Sequence, residues 1–451
     1  MATRTCSRRH FMNKEQAKEK ALEAIDDYKE KILDFQRDIW EHPELGFKEH
    51  RTAEKVAAFF EDLGLEYESG IAVTGLRADV KGKSDDVRVA VLGELDAVIC
   101  KDHPDADPQS GAVHACGHHS QLAVMLGTAV ALTQTGLMDQ LAGDVSFIAV
   151  PAEEFVELDY RSKIKEDGAI EFFGGKQELI RLGVLDDIDI AAMIHLEGDC
   201  PERIIKVAEG TNGFLGKTVR YVGKEAHAGG APDQGINALN AAMLGLMGIH
   251  AQRETFRDED YIRVHPIITR GGDLVNIVPS DVGIETYVRG RSIDAILDAN
   301  RKVNQALRGG AIAIGAQVEI QEIPGYLPLR TDIGLMETFN GNAGSLIGDE
   351  NVQVSKFIGG STDMGDISHI MPAIHPMIGG VEGHAHTRDY RVVDEGMANI
   401  VPAKAMAMTI IDLLWEDGAR AKDIVEQFEP LYSKETYLDM WRTVVDTSDE
   451  E

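Results

Sequence analysis

The chain has 451 residues, 43% hydrophobic and 27% charged, a globular composition with room for two or three domains. Its 45 basic and 76 acidic side chains leave a formal charge of -31, which repels nucleic-acid phosphates and anionic lipid, so neither is an expected partner. No uninterrupted apolar run approaches the roughly 20 residues of a membrane span, and Cys6, Cys100, Cys116 and Cys200 form no close CxxC pair, which fits a reduced cytoplasmic protein.

Ser7-Arg8-Arg9-His10-Phe11-Met12 has the outline of a twin-arginine export signal, but Asn13–Lys20 is charged where an apolar segment is required. It is read as a coincidence, or as an extension ahead of a start at Met12. Ala21, Ile25, Tyr28, Ile32, Phe35 and Ile39 then recur at spacings of three and four, which predicts a helix over 14–40. His42-Pro43-Glu44-Leu45-Gly46 ends it, and a second helix is expected over 49–63, closed by Gly64. Apolar runs follow at Ile71–Val80, Val87–Leu92 and Val145–Val150; the last two are rich in β-branched residues and read as buried strands. Between them lies a helix over about 120–135. Alternating helices and buried strands predict an α/β domain of mixed sheet with flanking helices.

The pattern changes near residue 213. Strands are expected at 218–222, 261–270, 282–289 and 317–323, with helices at 237–250 and 293–309. That order is the split βαβ arrangement, a four-stranded antiparallel sheet with two helices on one face. After Pro324 the α/β pattern resumes, with a helix at 332–346, a Gly-rich segment at 359–365 and a final helix at 396–415. The expected organisation is a catalytic α/β domain built from residues 1–209 and 324–451, with an inserted α+β domain over 210–323.

The densest chemistry is His114-Ala115-Cys116-Gly117-His118-His119, three imidazoles and a thiol in six residues ahead of a helix. Cys116 and His118 in such a loop suit a borderline divalent ion such as zinc, manganese or cobalt; the alternative is an inert cysteine among surface histidines. Pro151-Ala152-Glu153-Glu154 follows a strand, where active sites of open α/β sheets collect. Neighbouring side chains diverge there, so one carboxylate can bind metal while the other faces substrate as a general base. In isolation the pair also reads as solvated acids. His195 follows the run Ile188–Ile194, again at a strand end, where a satisfied core histidine is the plainer reading. In Gly383-His384-Ala385-His386-Thr387, two histidines at i,i+2 give one ligand and one bystander. Cys116, His118, Glu154, His195 and His386 together make five ligands, a set suited to two ions sharing a bridge.

These segments, with Trp40–Gly46, Gly223-Lys224-Glu225-Ala226-His227-Ala228 and Asn276-Ile277-Val278-Pro279, resemble the M20 metallopeptidase family over nearly the whole chain. The likeness is to its amidohydrolase branch, which includes N-acyl-amino-acid, hippurate and aminobenzoyl-glutamate hydrolases. The resemblance implies a metal-dependent enzyme that cleaves the amide of a small N-acyl amino acid, or else a dipeptide. It assigns the five ligands to two divalent ions, and Glu153 to the general base that takes a proton from the attacking water and passes it to the leaving nitrogen. It makes the inserted domain a lid that forms a homodimer, with His227 reaching the partner subunit's active site to stabilise the oxyanion; on the residues alone the alternative for His227 is a loop histidine. Asn276 and Arg289 would contact the substrate's carboxylate or carbonyl, and an arginine fork suits a carboxylate; as residues alone, Arg289 is also an ordinary surface strand position. Three departures stand out. His119 occupies a position that usually carries an acid or asparagine, and so reads as a different supporting group, an extra ligand or a substrate contact. Glu94-Leu95-Asp96 replaces the usual acidic-Met-Asp motif, which leaves Asp96 an orienting role. The spacing near His386 is one residue long, which makes His384 a rival ligand. A non-catalytic, metal-binding dimeric relative is the reading from another class; it requires a lost ligand or base, and none is missing.

Overall fold

A computed structural model describes residues 12–446, so Cys6 and most of the arginine-containing stretch at 7–12 lie outside the described residues. The helix expected over 14–40 is two, Lys14–Asp27 and Lys29–Glu41, with Tyr28 at the break. Asp26 and Asp27 explain it physically: acids are unfavourable at a helix C-terminus and favourable just ahead of the next N-terminus. The next helix spans His50–Asp62, and Gly64 follows it with a left-handed φ of 75°.

The run Ile71–Val80 turns back on itself. Ala72 and Val73 adopt positive φ, so Tyr67–Ile71 and Gly75–Val80 form an antiparallel hairpin instead of one strand. The hairpin edges a six-stranded mixed sheet in the order Tyr67–Ile71, Gly75–Val80, Asp144–Val150, Arg88–Glu94, Ile190–Ala192 and Ala373–Ile374, the last four mutually parallel. Successive residues of a strand face opposite sides. Val89 and Val91 therefore join one core, with the helices His118–Thr133 and Val401–Leu414, while Ala90 and Leu92 join a second, with Gly175–Leu182 and Lys434–Asp446. Helices cover both faces, which is why these strands read as unbroken apolar runs.

The helical stretch Gly396–Leu414 is long and apolar without being an uninterrupted apolar run. It is 19 residues long with a mean hydropathy of 1.4, enough to cross a membrane by length and composition, but 83% of it is buried inside the protein. It is apolar nearly all round because it is enclosed; Lys404 and Asp412 interrupt the run in the sequence. It is also not the final helix: Ala419–Gln427 and Lys434–Asp446 follow. Tyr437, Leu438, Trp441 and Val444 are the buried face of the latter, a 3–4 spacing visible in the sequence.

Residues 213–323 build a separate antiparallel sheet, with Asp281–Gly290 and Gly213–Val222 at its centre and Gln317–Ile323 on one edge. The strand expected over 261–270 is split into Arg263–Val264 and Ile267–Arg270 around His265-Pro266, since proline cannot donate to the ladder. Ala238–Gln252 and Ile293–Ile314 pack on Val282, Ile284 and Val288 from this sheet. Tyr287 and Arg289, on alternate positions, point the other way, toward the six-stranded sheet.

Candidate active site

Two strands of the large sheet change sheets at their carboxyl ends. Ile190–Ala192 passes into His195–Leu196, and Ala373–Ile374 into Met377–Ile378; these outer pieces pair with each other in a small second sheet with Ile205–Ala208. His195 sits at that seam, its ring centroid 5.5 Å from that of His375. The Cys116 loop arrives from the other side. Gly117 has φ 93°, and a Cβ there would stand 2.7 Å from the Tyr390 hydroxyl and 2.9 Å from Leu196, so glycine is required where the loop enters the helix.

Five side chains converge on this point. Cys116 Sγ lies 3.3 Å from His195 Nε2 and 3.3 Å from His386 Nε2. His386 Nε2 is 3.0 Å from Glu154 Oε1. The ligating atoms of Cys116, His118 and His195 all lie within 4.8 Å of one another, as do those of Cys116, Glu154 and His386. Cys116 is common to both groups. His386 is held at φ 62°, a strained value for a non-glycine residue, with its amide bonded to the Ala115 carbonyl. His384 points away, exposed and 3.7 Å from Asp199, so the structure brings His386 and not its rival to the cluster.

Asp96 supports two members at once. One oxygen accepts the Glu154 amide at 2.8 Å, and the other lies 3.2 Å from His118 Nδ1, which also contacts the Asp96 carbonyl at 2.8 Å. This leaves His118 Nε2 facing the cluster. A positive φ of 54° at Ala152, whose amide bonds to the buried Glu49, turns the chain after the strand and separates Glu153 from Glu154. The Glu153 carboxylate stands 3.9 Å from His118 Nε2.

The residues fit a metal centre on two counts. His118 Nε2 and Glu154 Oε1 are buried without a well-aligned hydrogen bond, although charged partners lie close. The electrostatics also lack positive charge. Burial and Glu154 push the Cys116 thiol up, but His195, His386 and His118 outweigh them and bring it down to about 6. Burial raises Glu154, yet His386 brings it down to about 2. Glu154 in turn lifts His386 to about 12, and Glu94 with Cys116 holds His118 well above the usual imidazole range despite burial. The imidazoles hold protons where the surrounding anions call for cations. Glu153 is different: burial, then Glu94 and Glu154, raise its carboxyl well above the ordinary range. A carboxyl poised to hold a proton suits a general base that must later return it.

Behind His118 lies a buried network with no conspicuous sequence signal. Lys176 donates to Glu94 and Asp363, and all three are essentially inaccessible. Glu94 Oε2 also accepts from Gln121 at 2.8 Å and lies 3.0 Å from His118 Nε2. A lysine on a short helix after two glycines gives no cue that it is buried. His375 was likewise missed; burial, then His195, lowers it to about 3, so it is neutral.

The cluster opens into a cavity of about 380 Å³. Cys116, Glu153, Glu154, His195 and His386 line one end, and Tyr287 and Arg289 approach from the antiparallel sheet, with Arg289 3.0 Å from Ser361 Oγ. Other predicted residues lie elsewhere. His119 is buried off the cavity, 5.1 Å from Trp40 and 5.5 Å from His114 between ring centroids. His227 and Asn276 are exposed on the antiparallel-sheet unit, linked through the Ala228 amide and the Asn276 carbonyl, and neither lines this chain's cavity. His227 Nδ1 accepts from the Gly229 and Gly230 amides at 3.2 and 3.0 Å, which leaves Nε2 as an outward N–H donor.

The chain is 30% identical over 419 residues to the Xaa-Arg dipeptidase of Mus musculus, covering 88% of this chain and 89% of that protein. It is 27% identical to the N-acetylcysteine deacetylase of Bacillus subtilis (strain 168), covering 73% and 83%. Its fold matches the crystal structure of a Bacillus subtilis dinuclear metal-binding peptidase from the M20 family, with a TM-score of 0.65, 23% identity and coverage of 86% and 99%. It also matches an aminobenzoyl-glutamate utilization protein from Klebsiella pneumoniae, with a TM-score of 0.64, 20% identity and coverage of 87% and 98%. Residues 90–411 match the profile described as Peptidase family M20/M25/M40. The enzyme is a metal-dependent hydrolase of amide bonds, in the amidohydrolase branch. By its sequence and its fold, the chain belongs to peptidase family M20/M25/M40.

Proposed function

We propose that this enzyme cleaves the amide of small N-acyl amino acids in the cytoplasm, using two divalent ions of zinc, manganese or cobalt, and that it works as a homodimer. The observation that carries the reading is the joint placement, on one cavity of about 380 Å³, of Cys116, Glu154, His195 and His386, the Glu153 carboxylate and the Arg289 guanidinium, with His118 completing the ligand cluster. Cys116, His118 and His195 would hold one ion, and Cys116, Glu154 and His386 the other. Ions bound there would polarise the amide carbonyl and acidify the attacking water. Glu153 takes the proton from that water and delivers it to the departing nitrogen. Arg289 holds the free carboxylate of the amine half, and Asp96 keeps His118 and Glu154 in place.

His227 and Asn276 would serve the active site of a second copy, with the His227 Nε2–H directed at the oxyanion. The unit over 210–323 acts as lid and dimer surface in this reading. Its helix and adjoining edge strand expose Met243, Met247, Ile267 and Ile268, and the nearby loop exposes Leu274 and Val275, an apolar area suited to covering by another copy. The free Cys100, Cys116 and Cys200 and the charge of -31 favour a reducing compartment, with neither membrane nor nucleic acid as partner.

A dipeptidase is the second reading, favoured by the similarity to a mouse Xaa-Arg dipeptidase. The test is a hydrolysis screen of metal-depleted enzyme reloaded with zinc, manganese or cobalt, against N-acyl amino acids, aminobenzoyl-glutamate and dipeptides. Metal-restored cleavage of N-acyl amino acids is expected. Preferential cleavage of dipeptides selects the second reading, and silence with metal verifiably bound overturns both.

A further inference from the structure

Arg289 lines the same cavity as the ligand cluster and reaches it from the antiparallel sheet. Its hydrogen bond is to Ser361 Oγ, and its guanidinium lies 5.5 and 5.7 Å from the ring centroids of Phe214 and Tyr287. Among the described residues no carboxylate pairs with it within 4.0 Å. Val98, Phe155, Leu329, Ile358 and Met377 give the cavity a largely apolar lining. Glu153 and Glu154 are the carboxylates that line the chamber, and both belong to the metal end.

From this arrangement we infer that the enzyme sorts its substrates by side-chain charge: it accepts amides whose amine half carries a free carboxylate and a neutral side chain, and rejects those ending in arginine or lysine. The inference rests on the amidohydrolase reading above, in which Arg289 receives the carboxylate. Carboxylate and side chain hang from the same Cα, so docking the one on Arg289 brings the other close to a fixed cation. Two like charges about 7 Å apart at an effective dielectric constant of about 20 repel enough for a discrimination of about 50-fold. Among the described residues the carboxylates of the chamber are Glu153 and Glu154, which the functional reading commits to the base and metal roles, and apolar walls receive neutral groups. The selectivity therefore runs against the side chain named in the mouse relative.

N-benzoyl-citrulline and N-benzoyl-arginine make the matched pair, since a urea replaces the guanidinium at nearly the same shape. With metal-loaded enzyme, kcat/KM for the citrulline compound should exceed that for the arginine compound by about tenfold or more. A smaller ratio overturns the inference. An inverted ratio does so too, and points to a carboxylate supplied by a second copy. Arg289→Met should weaken both substrates and move their ratio toward unity. Two further arms separate this inference from the functional reading. Failure to hydrolyse N-benzoylglycine with metal bound sinks the amidohydrolase assignment. Calorimetric titration of metal-loaded Glu153→Gln with the same pair reads the charge preference without turnover. There, about tenfold tighter binding of the citrulline compound supports the inference; equal binding, or none of either, overturns it.

Discussion

Glu153 and Glu154 are adjacent in sequence and opposite in electrostatic setting. Glu154 is held down to about 2 by His386 against burial, whereas burial and neighbouring acids raise Glu153. Glu153→Gln should therefore lower kcat by about 10²–10⁴-fold while metal analysis finds the content nearly unchanged; a large loss of metal would contradict the division of labour. The imidazoles lead to a second expectation. His118, His195 and His386 are all raised, so at neutral pH the metal-free cluster holds protons that an incoming ion must displace. Apparent zinc affinity should rise with pH, with protons released on loading at pH 7.5. Below about pH 6 the Cys116 thiol is protonated as well, and the pH dependence steepens. Calorimetry in buffers of different ionisation enthalpy measures the release, and an affinity flat between pH 6 and 8 would refute it. Cys116, His118, Glu154, His195 and His386 were legible because thiol, imidazole and acid at strand ends are a rare combination. Lys176 was not, because burial of a lysine is a property of its neighbours.

Among the elements, the short helix Gly175–Leu182 bears more on the site than its eight residues suggest. It places Lys176 between Glu94, at the end of a central strand, and Asp363, at the start of the helix Met364–Ser368. Lys176→Met would remove the cation that the buried Glu94 and Asp363 share. The expected cost is about 3–5 kcal/mol, read as a shift in the urea midpoint, and a midpoint equal to wild type would show that the network contributes little. Long periodic elements were read well from the sequence. Besides the helices Leu158–Glu166, Gly175–Leu182, Ala419–Gln427 and Lys434–Asp446, which the sequence reading did not include, the errors fell at Tyr28, at Ala72-Val73 and at His265-Pro266, where the chain breaks without a glycine or where hydrophobicity continues through a turn. The helix Lys434–Asp446 shows the reverse case: its apolar 3–4 pattern is present in the sequence, and its buried Tyr437 hydroxyl bonds to Asp366 at 2.8 Å, which ties it to the segment carrying Asp363.

For the whole molecule, the consequential feature is that one chain holds both the cluster of candidate metal ligands and, on a separate exposed surface, the histidine proposed to complete a neighbour's site. Glu153→Gln and His227→Ala should each be inactive as homodimers. Mixed and re-equilibrated, they should regain about a quarter of wild-type activity, since half the dimers are mixed and each contains one complete site. Sedimentation should show a dimer that Met247→Asp or Ile267→Asp dissociates. No recovery from well-mixed dimers would place the function of His227 within its own chain.

Local chemistry and periodicity were enough to read the helices and buried strands, the change to an antiparallel unit near residue 213, and the ligand types with their flanking strands, because these depend on residues near one another along the chain. Which of His384 and His386 turns inward, whether Asp96 can hold two neighbours at once, how His119 comes to pack against Trp40 away from the cavity, and that among the described residues no carboxylate pairs with Arg289 within 4.0 Å all depend on packing between distant segments. A ligand's identity is a property of one residue. Its direction, and the charge it faces, are set by whatever the fold packs beside it.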